Sequence, residues 1–135
     1  MTARRRPHTK KAAALAAFGI TLAACGGGSS GGGNVAPAAT GAIDVTVRAQ
    51  DPKYAYDQKT YNAKAGKINF ELINDGKENH NLVIQGVDKK KFKLVTQSPG
   101  AKMSGSWQLQ AGTYTLYCDL SGHRAGGMEA KLTVS

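Results

Sequence analysis

The stretch over residues 112–135 reads GTYTLYCDLSGHRAGGMEAKLTVS. On its left, Tyr114, Leu116 and Cys118 alternate with Thr113, Thr115 and Tyr117. On its right, Met128, Ala130, Leu132 and Val134 alternate with Glu129, Lys131 and Thr133. Successive side chains of a strand point to opposite faces, so a period of two marks a strand with one face in a core. Between the two runs Gly122, Gly126 and Gly127 interrupt any period, which predicts a loop joining two strands.

The same period recurs upstream. Ile43, Val45 and Val47 alternate with Asp44, Thr46 and Arg48, and Ile68, Phe70 and Leu72 with Lys67, Asn69 and Glu71. His80, Leu82 and Ile84 share a phase. Turn signals separate the runs at Ala65-Gly66, Asn74-Asp75-Gly76, Ser98-Pro99-Gly100 and Ala111-Gly112. No long helical stripe competes. Short strands with one apolar face each predict an all-β, antiparallel β-sandwich over residues 42–135. Lysines 89, 90, 91 and 93 read as a solvated face protecting a sheet edge.

The chain before this domain has a different composition. Arg4, Arg5, Arg6, Lys10 and Lys11 precede an apolar run over 12–24, too short for a span of about 20 residues but suited to an export signal. The run ends Leu22-Ala23-Ala24-Cys25, which resembles the bacterial lipobox, in which the cysteine is lipidated and the chain cut before it. Residues 1–24 are thus expected to be a signal peptide. Residues 25–41, rich in Gly, Ser, Ala and Pro, are expected to be a flexible tether with a reach of roughly 20–25 Å. The formal charge of +9 is dominated by the basic head; without it, 13 basic residues face 9 acidic ones. No basic stripe interleaved with aromatics is present, so nucleic acid is not an expected partner.

There are two cysteines. If Cys25 carries lipid, Cys118 has no disulfide partner in an oxidising compartment, so burial or ligation must account for it. The strand phases turn His80, Cys118 and Met128 towards one interior, and His123 sits between two of them. Four residues separate Cys118 from His123, and four separate His123 from Met128. Two imidazoles, a thiolate and a thioether form a soft to borderline donor set that suits one copper ion with a weak axial sulfur. Zinc gains nothing from Met, and calcium and magnesium want oxygen. Taken singly, each residue reads as core or turn; the joint arrangement points to a metal.

The segment 117–128, with the upstream run 79–84 (Asn-His-Asn-Leu-Val-Ile), resembles the ligand segments of cupredoxins, the type 1 blue-copper proteins of auracyanin, azurin and plastocyanin type. The resemblance covers residues 42–135. It implies a Greek-key sandwich and a copper site of Cys118 (strong thiolate), His80 (buried imidazole), His123 (imidazole at the surface, the electron port) and Met128 (weak axial ligand). It implies for Asn81 a hydrogen-bonding role beside the thiolate that pins the two ligand segments together. It further implies a monomer that shuttles single electrons, with c-type cytochromes or membrane oxidoreductases as partners. The export signal and Cys25 add a lipid anchor, in the periplasm or on the outer face of the cell membrane. An enzyme is not expected, because the mature chain keeps only His80 and His123 and the site uses both. A copper carrier is the rival reading, but it favours exposed Met or His clusters, which this chain lacks. Arg124, next to His123, is expected to supply positive charge for docking.

Overall fold

The computed structural model describes residues 33–135; the basic head, the apolar run and Cys25 lie outside them. Nine strands follow in order: β1 (Val45–Gln50), β2 (Ala55–Tyr56), β3 (Thr60–Ala63), β4 (Gly66–Asn74), β5 (His80–Ile84), β6 (Leu94–Thr96), β7 (Lys102–Leu109), β8 (Gly112–Tyr117) and β9 (Glu129–Val134). They form one sheet ordered β2-β1-β4-β7 and a second ordered β3-β9-β8-β5-β6. The alternating residues meet between the sheets: Val47, Phe70, Leu72, Leu82, Leu116 and Leu132 are fully buried. Each such side chain contributes about 1.5–3 kcal/mol relative to exposure. Phe92 joins them from the loop before β6, set edge-on to Phe70 with centroids 5.4 Å apart.

The sandwich is all-β as the alternation implies, but its sheets are mixed. β1 pairs with β4 in parallel, and β3 with β9 likewise. Alternation reports which face is buried and is silent on strand direction. The crossover over residues 51–65, which carries β2 and β3, is long enough to bring β4 back beside β1 in the same sense.

Two boundaries move. The expected tether over 25–41 does not run free to its end. Val35 and Lys93 exchange backbone hydrogen bonds, Ser106 N–H donates to Pro37 O at 2.8 Å, and Asn69 Nδ2 donates to Thr40 O at 3.1 Å. The contacts are mostly backbone, which is why composition hides them. Gly105 makes room for this strap, since a Cβ there would lie 2.5 Å from Ala36 Cβ. At the other end of the strap Ile43 is exposed, because the β1 ladder begins only at Val45.

The lysine cluster also divides. Lys90 and Lys91 are exposed, as an edge-protecting face requires. Lys89 and Lys93 instead turn onto Asp119, at 3.0 and 2.9 Å.

Candidate metal centre

Three strand ends and one loop build the site. His80 opens β5, Cys118 follows the last residue of β8, and Met128 precedes β9. Cys118 N–H donates to Met128 O at 3.1 Å and Met128 N–H to His123 O at 3.0 Å, so the loop folds back on itself. Gly122 and Gly127 adopt φ of 82° and 114°, backbone that side chains with a Cβ rarely reach.

The ligating atoms of His80, Cys118 and His123 lie within 4.8 Å of one another, and all three residues are buried. Cys118 Sγ is 3.6 Å from His123 Nδ1. Bonds of about 2.3 Å to sulfur and 2.0 Å to nitrogen, meeting at a tetrahedral angle, put two ligands of one ion about 3.5 Å apart. The spacing fits a shared metal. The most telling atom is His80 Nδ1, which is buried and has no hydrogen-bond partner. Nearly all buried polar atoms are paired, so a nitrogen left bare beside a thiol and a second imidazole fits a ligand. Met128 is completely buried in the same core as Cys118.

The surroundings hold these side chains in place. His80 Nε2 faces Asp51 Oδ2 at 3.3 Å, which leaves Nδ1 for the metal side. Asp51 in turn accepts the N–H groups of Lys77 at 2.6 Å and Glu78 at 2.9 Å. The Glu78 N–H holds its carboxyl below the ordinary range, with Lys77 and His80 helping against desolvation. Burial pushes the Cys118 thiol up, opposed by the backbone N–H groups of Leu120 and Asn81 that meet the sulfur. The His123 imidazole is lowered, first by burial and then by His80, with Glu78 and Asp51 pulling the other way.

Asn81 ties the β5 segment to the Cys118 loop. Its Nδ2 donates to Asp119 Oδ1 at 2.7 Å, and Asp119 N–H returns to Asn81 Oδ1 at 2.9 Å. Tyr56 Oη donates to Asn81 O at 2.6 Å from the opposite sheet. Burial pushes the Asp119 carboxyl up, but the bonds from Lys93, Lys89 and Asn81 outweigh it and hold it low.

Two expectations about the rim change. His123 was expected to lie at the surface, yet it is only 7% exposed. The cover comes from elsewhere in the chain: the Tyr54 ring stacks on the imidazole with centroids 4.1 Å apart and planes 17° from parallel. Arg124 is not a free docking charge. Its Nε donates to Glu129 at 2.6 Å, its Nη2 to Gln85 at 2.8 Å, and its guanidinium lies 4.2 Å above the Tyr117 ring. Asp51 and Tyr54 are the site residues that sequence reasoning missed. Both come from the β1–β2 connection, which carries no period; the only hint was the pair Gly126-Gly127, which permits close approach of another segment.

A two-sheet β-sandwich with a buried His, Cys, His and Met cluster at one end defines a small metal-binding β-protein with a soft donor set. Residues 43–135 match the profile of the copper binding proteins of the plastocyanin/azurin family, and the chain belongs to that family. Copper is accordingly its cofactor. Solved structures of similar fold include auracyanin A, a "blue" copper protein from Chloroflexus aurantiacus (17% identity, 70% of this chain and 100% of that one, TM-score 0.59). A dithionite-reduced auracyanin from Roseiflexus castenholzii (21%, 71% and 99%, 0.57) and an azurin from Methylomonas sp. strain J (17%, 70% and 99%, 0.55) are likewise similar. Comparison with curated proteins gave no match.

Proposed function

We propose that this protein is a type 1 blue-copper electron carrier, anchored to a membrane through lipid on Cys25, that shuttles single electrons between redox proteins outside the cytoplasm. His80, Cys118 and His123 would hold the copper, with the Met128 thioether as a weaker fourth donor. The observation that carries the reading is the bare, buried Nδ1 of His80 beside Cys118 and His123. Copper bound there supplies a Cu(II)/Cu(I) couple. The chain's part is to keep the ligands still: a closed site on paired strands, cross-tied by Asn81 and Asp119, changes little between oxidation states. A carrier that hands copper on needs exchangeable ligands instead, and here all four are buried. The two roles separate by experiment. The copper-loaded chain should exchange electrons rapidly and release copper to a chelator slowly; fast release with slow exchange would favour the carrier. The expected partners are c-type cytochromes or membrane oxidoreductases, with the protein in the periplasm or on the outer face of the cell membrane.

The axial assignment predicts that Met128→Leu keeps copper and colour but raises the reduction potential, because a thioether stabilises Cu(II) more than a hydrocarbon does. Voltammetry checks this; complete loss of copper would show that Met128 is a principal ligand. The anchor rests on Leu22-Ala23-Ala24-Cys25. Cys25→Ser should abolish incorporation of labelled lipid and release the protein from the membrane fraction, and continued labelling would contradict the anchor.

A further inference from the structure

The Tyr54 ring does more than touch His123. Its hydroxyl donates to Glu78 Oε2 at 3.0 Å, and that same carboxylate oxygen lies 3.7 Å from His123 Nε2. The ring also rests against the ligand loop, where a Cβ on Gly126 would come within 2.8 Å of Tyr54 Cδ2. Gly126 has no unusual φ, so what the glycine provides there is room. A stack, a hydrogen-bonded tether and a cleared seat thus converge on one half-buried ring.

We propose that Tyr54 is a positioning residue for electron transfer: its ring, moored by Glu78 and seated on Gly126, clamps the His123 imidazole and forms the outer surface through which a partner's electron reaches the site. The inference rests on His123 being a copper ligand. The imidazole sits mid-loop, on a backbone that includes Gly122, Gly126 and Gly127. A ring held flat against it limits tilting when the metal changes charge, which keeps reorganisation small. It also fills the place where water would otherwise separate the imidazole from a docked partner. The one electron given up by a reduced partner would be taken up at the copper, and the phenol is neither oxidised nor reduced.

Three variants of the full chain test this: Tyr54→Ala, Tyr54→Phe, and Gly126→Ala, which displaces the ring without altering it. In the metal-free protein, NMR should find the His123 ring protons shifted upfield by the aromatic face above them. The shift should vanish in Tyr54→Ala, diminish in Gly126→Ala and persist in Tyr54→Phe. With copper bound, the visible spectrum should survive in all three. Electron self-exchange should slow about tenfold or more in Tyr54→Ala, a loss of the size that follows removal of other groups that orient a metal-ligating histidine. Tyr54→Phe, which keeps the stack but loses the bond to Glu78, should fall between the parent and Tyr54→Ala. Unchanged exchange in Tyr54→Ala, or an equal fall in Tyr54→Phe, would overturn the clamp while leaving the copper reading intact. A parent chain that gives no coloured copper complex would overturn that reading itself, and the clamp with it.

Discussion

Cys118→Ser should abolish the visible colour of the copper-loaded protein and leave its β-type circular dichroism in place. The colour of a type 1 site comes from charge transfer out of a thiolate, and Cys118 is the one sulfur able to ionise among the described residues. The hydroxyl is smaller and far less easily ionised, but it can accept the same backbone N–H groups of Asn81 and Leu120 that now meet the sulfur. The cost to the fold is therefore modest. It is set by one buried polar atom, about 1–3 kcal/mol if that atom is left unpaired, against a core that spans both sheets. A variant that keeps the intense band would show that another residue supplies the charge-transfer ligand. A variant that loses its β signal would show that the thiol is chiefly structural.

Asp51→Ala should weaken copper binding by about 10–100-fold, the usual effect of removing the group that orients a ligating histidine. The His80 side chain is fully buried, and its Nε2 has Asp51 as its acceptor. Without the carboxylate, the ring loses what fixes its tautomer and its tilt, and the backbone at Lys77 and Glu78 loses a shared acceptor. Because Glu78 also moors Tyr54, both histidines feel the change. Asp51→Asn keeps an oxygen acceptor and should fall between the parent and Asp51→Ala. Competition against a chelator measures the affinities; an Asp51→Ala protein that binds as tightly as the parent would remove Asp51 from the site.

Strands β1, β4, β8 and β9 were legible because each sets apolar residues against polar ones at a period of two. The phase also placed His80, Cys118 and Met128 inside. β5 hides part of this signal, since all five of its residues are buried. Strand direction was not legible, so the parallel partners of β1 and β3 emerged only from the structure. β7 escaped notice because Ser104, Gly105 and Ser106 give it no apolar run, although Gly105 is needed where the strap at Ala36 crosses it. The cluster of His80, Cys118 and His123, with Met128 bonded to Cys118 through the backbone, could be read because its members lie on strand ends and in one short loop. Asp51 and Tyr54 could not, since nothing local distinguishes a carboxylate or a phenol that will meet a histidine from one that will not. The same holds for Lys89 and Lys93, whose partner Asp119 is 26 residues beyond the second of them.

A single copper bound by His80, Cys118, His123 and Met128 should declare itself when Cu(II) is titrated into the full chain and the visible spectrum is recorded. An intense blue or green band should rise linearly and stop at one copper per chain. A colourless Cu(II) complex at full occupancy, or a band that keeps growing past one equivalent, would rule out that site.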